Sequence, residues 1–225
     1  MPVGSRAIAI ALLLAMGCRW TGEPAGLLSE SEAVRHCYDW PGTNWSRNHR
    51  ARLGTRLNTG DRAVDLTLRR PNGNPMVLSD LLQEKPVLLV SGSATCPRYR
   101  DNEPHIASIA RQFSDELHVA VVYTMEAHPR SEANPYAGKR RPTEASDRNQ
   151  ATTWKTRSRD ARDLNTGQAL VLVDDLRGQR SNPFWCTYGP CPNCAFLIAQ
   201  DGTLAAVHEW LDPPTMVGSI EALIR

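Results

Sequence analysis

Residues 86–97 read PVLLVSGSATCP, a short apolar run followed by a cysteine where a helical pattern begins. The run at 87–90 is continuous and apolar, which is typical of a strand buried on both faces. Beyond Cys96, apolar residues recur at helical spacing across 99–113. Pro97 suits the first turn of a helix, where its missing N–H removes no hydrogen bond. The stretch therefore predicts a cysteine at a turn from strand to helix.

A cysteine in this position is expected to be reactive. The free N–H groups and the dipole at a helix N-terminus stabilise a thiolate and lower the pKa of the thiol. Arg98 and Arg100 make the flanking sequence polar and basic, which favours a partly exposed, ionised sulfur. We predict that Cys96 is the nucleophile of a thioredoxin-like redox site. The alternative is a buried, inert thiol.

The remaining pattern predicts an α/β domain. The predicted strands cover residues 64–68, 76–78, 87–90, 119–123, 169–173, 195–199 and 204–207. The predicted helices cover a short segment capped by Ser79, then 99–113, 145–164 and 214–224. Buried strands separated by helices pair in parallel through right-handed crossovers. The order predicts a thioredoxin-like fold, a central mixed sheet with a βαβ unit, a C-terminal ββα unit and helices on both faces.

The N-terminus has the pattern of an export signal. Arg6 precedes ten apolar residues, and Gly17 stands directly before Cys18. This apolar segment is too short to span a bilayer and matches the core of a signal peptide. We predict an exported periplasmic or outer-membrane lipoprotein of a bacterium, lipidated at Cys18 and so attached to the membrane. Plain secretion and an uncleaved anchor are the alternatives.

The sequence divides into three predicted parts. Residues 1–18 form the signal or lipoprotein segment, 19–60 a tether with one short helix, and 61–225 the thioredoxin-like domain. Basic residues exceed acidic ones by only two, 26 against 24, and aromatic residues are few and dispersed. Both observations argue against a nucleic-acid partner, which requires a basic patch or stacked aromatic residues.

A second polar motif, YTMEAHP at residues 123–129, follows the next predicted strand. Parallel strands bring their carboxyl ends to one edge of a sheet, so Glu126 and His128 should lie near Cys96. His128 can stabilise the thiolate or pass a proton to a leaving group, and Glu126 can orient the imidazole. In the alternative interpretation, His128 is an ordinary loop histidine and Glu126 a solvated carboxylate.

Three stretches, within roughly residues 61–215, resemble the iodothyronine deiodinase family. GSATCP at 92–97 is similar to the family's Gly-Ser-Cys-Thr-selenocysteine-Pro, with Cys96 in the selenocysteine position. YTMEAHP is similar to Tyr-Ile-Glu-Glu-Ala-His-Pro, and ALVLVD at 169–174 resembles Ala-Leu-Val-Leu-Asp. The resemblance implies a thioredoxin-like fold and reductive deiodination, driven by an external thiol without a bound cofactor.

The residues around the two motifs include possible supporting groups, and the sequence differs from the family pattern at two places. Ser93 and Thr95 can offer hydroxyls to the sulfur, and Tyr123 is a further supporting residue. Ala94 stands where many deiodinases carry a second thiol. Residues 140–148 contain no counterpart of the family histidine that is implicated in gripping the substrate phenol.

The other cysteines allow three interpretations. Cys191 and Cys194 form a Cys-Pro-Asn-Cys motif before a predicted strand, with Cys186 upstream. A structural disulfide, which could involve Cys37, is favoured because this motif opens a strand and not a helix. A thiol that resolves oxidised Cys96 ranks second. A Zn²⁺ or Cu⁺ site ranks third because too few ligands are evident, so we predict no metal.

These observations predict a thiol-dependent oxidoreductase whose nucleophile attacks a soft electrophile. The electrophile is the iodine of an aryl iodide, a peroxide oxygen or a disulfide sulfur. The alternatives are thiol-disulfide exchange, a peroxiredoxin-like peroxidase in which Ser93 imitates the peroxidase hydroxyl, and a non-enzymatic metal-binding or scaffold lipoprotein. The predicted partners are a small-molecule substrate and a thiol reductant, with a homodimer as a further option and no cofactor.

Overall fold

The computed structural model describes residues 54–128, 148–176 and 182–225. The predicted signal segment with Cys18, and most of the predicted tether with Cys37, lie outside the described residues. The strands described are β1 (Thr67–Arg69), β2 (Pro75–Val77), β3 (Val87–Gly92), β4 (His118–Tyr123), β5 (Leu170–Val173), β6 (Ala195–Ile198) and β7 (Leu204–His208). The helices described are α1 (Leu78–Glu84), α2 (Pro97–Gln112), α3 (Trp154–Ala161), α4 (Pro183–Thr187) and α5 (Pro213–Ile224).

The strands form one mixed sheet in the order β2-β1-β5-β4-β3-β6-β7. The central strands β3, β4 and β5 are parallel, and β6 and β7 continue the sheet antiparallel to their neighbours. In the pairing of β3 with β4, Gly92 lies opposite Tyr123. The loops that follow these two strands therefore start at the same edge of the sheet. The βαβ unit, the β-hairpin and the final helix confirm the predicted thioredoxin-like architecture.

Alternate residues of β3 point to two separate hydrophobic clusters. Leu88 and Val90 belong to the cluster that contains residues of α2, α3 and α5. Val87 and Leu89 belong to the cluster that contains residues of α1 and α4. Helices therefore cover both faces of the sheet, as predicted. This arrangement explains why the strand is apolar without alternation.

Residues 54–60, assigned from sequence to the tether, pack against the sheet. Leu57 is completely buried, and the backbone N–H of Gly60 donates to the carbonyl of Leu204 over 2.8 Å. At Gly189, where φ is +129°, a Cβ atom would lie 2.3 Å from the carbonyl oxygen of Gly54. The close approach of these two backbones therefore requires a glycine at position 189.

The helix predicted over 145–164 is shorter in the structure. Helix α3 begins after Thr153, whose hydroxyl accepts the N–H of Thr156 over 3.2 Å as an N-cap. Arg148 and Gln150 precede the helix: Nη1 of Arg148 donates to the carbonyl of Asp160 in α3, and the side-chain oxygen of Gln150 accepts the N–H of Glu126. The short helix α4 was not predicted. None of the helices described has the length and apolar character needed to cross a membrane.

Candidate active site

Cys96 lies where β3 gives way to α2, as predicted. It is the N-cap residue of α2, and Pro97 occupies the first turn. The backbone N–H of Cys96 donates to the carbonyl of Ser93 over 3.0 Å, which closes the turn. Its own carbonyl accepts the N–H of Arg100 over 3.1 Å and so starts the helical hydrogen bonds. The sulfur therefore sits beside the free N–H groups of a four-turn helix.

Gly92 and Tyr99 fix the approach of this helix to the sheet. A Cβ at Gly92 would lie 2.6 Å from Cγ1 of Val121 and 3.3 Å from the ring of Tyr99. The missing side chain therefore leaves room for the phenol ring, which is fully buried. Burial, with the nearby charge of Glu103, raises the pKa of Tyr99 far above its ordinary value. The sequence analysis did not single out Tyr99.

The environment of Cys96 differs from the prediction. The residue is 3% exposed and belongs to the hydrophobic cluster that also holds Tyr99 and Tyr123. Burial raises the pKa of the thiol, and the charge of Glu126 acts in the same direction. The helical N–H groups and Arg98 lower it, but they do not outweigh burial. The prediction of a partly exposed sulfur is therefore wrong, and the direction of the pKa shift opposes the predicted ionisation.

Glu126 joins the loops that follow β3 and β4. Its carboxylate is buried, and Oε2 accepts hydrogen bonds from the hydroxyl of Ser93 (3.0 Å), the N–H of Thr95 (2.8 Å) and the hydroxyl of Thr95 (2.7 Å). The hydroxyl of Tyr123 donates to Oε1. Glu126, Ser93, Thr95 and Tyr123 form a connected group, here called the carboxylate hub. The predicted convergence of the two loops is observed, although the hydroxyls donate to Glu126 and not to the sulfur.

The two hydroxyls of the hub also accept hydrogen bonds from the second loop. The N–H of Ala127 donates to Oγ of Ser93, and the N–H of His128 donates to Oγ1 of Thr95, both over 2.9 Å. These bonds place the half-buried His128 beside the residue that precedes Cys96. The Ser93 hydroxyl thus donates to Glu126 and accepts from Ala127, and its peroxidase-like role stays a prediction.

The predicted bond between Glu126 and the His128 imidazole is not among the contacts that the structure describes for this carboxylate. Two residues that the sequence analysis missed take part instead. The side-chain oxygen of Gln150 accepts the N–H of Glu126 over 3.0 Å. Nε of Arg148 lies 3.9 Å from Oε1 of the carboxylate. Both residues come from a polar segment without a motif, so no sequence signal indicated them.

Cys191 and Cys194 form a disulfide directly before β6. The hydroxyl of Ser91 accepts the N–H of Cys194 over 2.8 Å and donates to the carbonyl of Cys191 over 2.7 Å. Both cysteines are buried in the cluster on the opposite face of the sheet from Cys96. This is the favoured structural interpretation, and in this state neither sulfur is a thiol that could resolve Cys96 or bind a metal.

Cys186 is the second free cysteine of the described residues and is buried on α4. Within the described ranges, no group of three or more His, Cys, Asp or Glu side chains could hold a metal ion. The arrangement that remains is one cysteine at a helix N-terminus, a neighbouring histidine and a buried carboxylate between their loops. This arrangement is suited to thiol chemistry.

The fold is thioredoxin-like, and one cysteine, Cys96, stands at the start of α2. No family model and no curated protein matches the chain. A hypothetical protein of Sinorhizobium meliloti 1021 is 16% identical, with a TM-score of 0.54, over 77% of this chain and 87% of that chain. A Chlorobium tepidum protein assigned as thiol:disulfide interchange protein DsbE is 17% identical, with a TM-score of 0.52, over 75% and 99%.

A third solved structure is the C-terminal domain of a Bacteroides thetaiotaomicron protein assigned as a thiol-disulfide oxidoreductase. It is 13% identical, with a TM-score of 0.51, over 74% of this chain and 95% of that domain. At identities this low, the similarity establishes the shared fold. It does not transfer the activity of any of these proteins to this chain.

Proposed function

We propose that this chain is a thiol-dependent oxidoreductase in which Cys96 reduces a disulfide. The observation that carries the proposal is the carboxylate hub, which holds His128 next to the turn that presents Cys96 at the N-terminus of α2. Solved structures of the same fold include proteins assigned as thiol-disulfide oxidoreductases.

The reaction proceeds in two exchanges. The thiolate of Cys96 attacks one sulfur of a substrate disulfide, forms a mixed disulfide and releases the other sulfur as a thiolate, which takes up a proton. An external thiol then attacks the substrate sulfur of the mixed disulfide. Cys96 is released in reduced form, and the substrate group leaves joined to the external thiol. The two electrons come from the external thiols, so no cofactor is needed.

Burial raises the pKa of the Cys96 thiol, so the exchange requires this thiol to ionise when the substrate disulfide is bound. The sulfur must also be uncovered during the exchange, because the residue is almost completely buried. His128 is the residue that we assign to moving the proton.

A disulfide reduction assay tests this proposal. The full chain is incubated with a small aromatic disulfide and dithiothreitol, and release of the aromatic thiol is followed. Cys96→Ser is expected to abolish the catalysed rate, whereas Cys186→Ser, which removes the other buried free thiol, retains it. A wild-type rate equal to the uncatalysed rate, or a Cys96→Ser rate equal to wild type, would overturn the proposal.

Reductive deiodination is the second candidate, and the paired motifs at 92–97 and 123–129 favour it. Here the Cys96 thiolate attacks iodine, the aryl carbon takes a proton, and the resulting sulfenyl iodide reacts with an external thiol to release iodide and form a mixed disulfide. A second thiol molecule reduces that mixed disulfide. Iodide release from an iodothyronine in the presence of dithiothreitol supports this candidate, and its absence with folded wild-type protein eliminates it.

We also propose that the protein acts outside the cytoplasm. The N-terminal pattern supports export, and a disulfide between two buried cysteines suits an oxidising compartment. Lipidation at Cys18 would anchor the chain to a membrane. Mass spectrometry of the membrane fraction of expressing bacteria tests this proposal. A diacylglyceryl group on Cys18 is expected, and an unprocessed N-terminus in the cytosol would contradict it.

A further inference from the structure

Trp210 is a large aromatic residue that stays exposed in the loop between β7 and α5. Within the described ranges, it is the one large hydrophobic side chain that is exposed, at 39%. A single exposed aromatic residue is ordinary on a protein surface, so its neighbours decide whether it has a role. The guanidinium carbon of Arg98 lies 5.0 Å from the centre of the indole ring, which is the geometry of a cation–π contact.

Three hydrogen bonds hold this loop against the first turns of α2. The side-chain amide of Asn102 donates to the carbonyl of Leu211 and to the side-chain oxygen of Asn193, both over 2.9 Å. The N–H of Leu211 donates to the carbonyl of Asn193 over 2.9 Å. Leu211 is itself buried in the hydrophobic cluster that contains Cys96. The loop therefore fixes Trp210 beside the helix that begins after Cys96.

Arg98 and Arg100 make the N-terminal end of α2 basic. Both side chains are exposed, and the first turn of the helix contains no acidic residue. The charge of Arg100 acts on Glu103, one turn further along the helix, whereas the contact described for Arg98 is with Trp210. A guanidinium in contact with an aromatic ring keeps N–H groups at its edge that can bind a carboxylate.

The acidic residues on either side of Trp210 have other contacts. Oε1 of Glu209 lies beside Gly54. The carboxylate of Asp212 accepts a hydrogen bond from the hydroxyl of Thr215 at the start of α5. Neither contact uses the arginine that lies over the indole ring.

We propose that Arg98, held on the ring of Trp210, is the specificity-determining residue of the Cys96 site and binds a carboxylate of the substrate. The inference rests on the proposed function and adds the substrate class, a small disulfide that bears a carboxylate close to its sulfur atoms. Arg98 lies in the first turn after Cys96, so a carboxylate bound there brings the neighbouring disulfide toward the sulfur. The contact with the ring restricts the guanidinium beforehand and lowers the entropy cost of binding.

The proposal predicts a preference that depends on the charge of the reagent. Replacing Arg98 also makes the Cys96 thiol less acidic, because the charge of this arginine lowers the pKa of the thiol. That change slows anionic and uncharged reagents equally, so it cancels in the ratio of the two rates. Lost attraction for a carboxylate changes the ratio itself. A residue with a merely structural role would leave the ratio unchanged.

The first experiment measures this ratio at Cys96 without any turnover. The full chain is alkylated with iodoacetate or with its uncharged amide, iodoacetamide, and Cys96 is followed by peptide mass spectrometry. The ratio of the two rates, divided by that of N-acetylcysteine, is expected to exceed one in wild type. It should fall toward one at about 1 M salt, where exposed charges are screened. Arg98→Met should lower it by roughly three- to fivefold, the effect of one exposed ion pair.

Three further variants separate charge from structure. Arg98→Lys keeps the charge and should keep the ratio near that of wild type. Arg111→Met is the matched control, because Arg111 lies in the last turn of the same helix and contacts Ser108, and it should leave the ratio unchanged. Trp210→Leu removes the ring but no charge, and it should lower the ratio by about twofold because the guanidinium is no longer held.

The second experiment applies the same comparison to the proposed reaction. An aromatic disulfide with a carboxylate on each ring and its uncharged dicarboxamide are reduced in the presence of dithiothreitol. The catalysed kcat/KM of each is divided by its uncatalysed rate constant. Wild type should prefer the carboxylate form, and Arg98→Met should reduce this preference by roughly three- to fivefold.

A wild-type alkylation ratio equal to that of the reference thiol, or a ratio unchanged in Arg98→Met, overturns the inference. An equal fall in Arg111→Met, or a fall in Arg98→Lys as large as in Arg98→Met, also overturns it. An unchanged ratio in Trp210→Leu would contradict the role of the ring. The proposed function fails separately, through a Cys96→Ser variant that still reduces the uncharged disulfide at the wild-type rate, so the two failures are distinguishable.

Discussion

At the scale of single residues, Gly92 allows the first turn of α2 to lie against the sheet. Gly92→Ala is expected to lower the free energy of unfolding by about 1–3 kcal/mol, because the new methyl group would overlap Val121 in a packed core. Urea denaturation monitored by tryptophan fluorescence measures this change.

Gly218 provides the control for that substitution. It lies in α5, and a Cβ there would meet nothing within 4 Å. Gly218→Ala is therefore expected to leave stability unchanged or to raise it by about 0.5–1 kcal/mol, the usual gain in a helix interior. Equal losses in the two variants would show that the packing argument at Gly92 is incorrect.

The acidity of Cys96 is a second prediction at this scale. Because burial raises the pKa of the thiol, the alkylation rate of Cys96 should reach its midpoint above the ordinary value for a cysteine. Peptide-resolved alkylation between pH 6 and pH 10.5 measures the midpoint, with N-acetylcysteine as the reference thiol. A midpoint below that of the reference would restore the ionised sulfur that the sequence predicted.

The sequence identified the position of Cys96 but not its burial, for a physical reason. Arg98 and Arg100 are exposed and gave the segment its polar character. The helix turns Tyr99, between them, into the core. The sequence shows that charged residues flank the cysteine, but it does not show that the ring of Tyr99 packs into the core beside Gly92.

At the scale of secondary-structure elements, Asp174 connects β5 to α4. Its carboxylate accepts the N–H groups of Phe184 and Trp185, each over 2.9 Å, at the start of the short helix. Burial raises the pKa of Asp174 from 3.8 to about 6, although Arg157 opposes the shift. The unfolded chain therefore releases this proton at a lower pH than the folded chain.

Between about pH 4 and pH 6, the folded state holds more protons at this site than the unfolded state. The free energy of unfolding should therefore fall as pH rises through this window, by on the order of 3 kcal/mol for a two-unit shift. Asp174→Asn is expected to flatten this slope in urea denaturation. Asp201→Asn is the control, because the N–H of Thr203 lowers the pKa of that exposed aspartate. An identical slope in wild type and Asp174→Asn would refute the assignment.

The elements themselves were predictable to different degrees. The buried runs at 87–90, 119–123 and 169–173 were identified as strands because they are continuous and apolar, and their parallel pairing followed from the crossovers. The helix expected over 145–164 was too long. The side chains of Arg148 and Gln150 contact Glu126 in the loop after β4, and a local pattern does not show such contacts.

At the scale of the whole molecule, the free thiol of Cys96 and the disulfide lie on opposite faces of the sheet. Cys96 belongs to the cluster on the face covered by α2, and the Cys191–Cys194 disulfide belongs to the cluster on the other face. The loop of the disulfide still contacts α2, since the amide of Asn102 donates to the side-chain oxygen of Asn193 over 2.9 Å. The loop that carries the disulfide therefore contacts the helix that begins at Cys96.

The most direct test of the account is to trap the intermediate at the sulfur itself. Folded protein is treated with an aromatic disulfide, quenched with acid and digested without reduction, and the adduct is located by mass spectrometry. The account predicts an adduct on the peptide that contains Cys96, released by added thiol and absent in Cys96→Ser. An adduct on Cys186, Cys191 or Cys194 with Cys96 unmodified would contradict it.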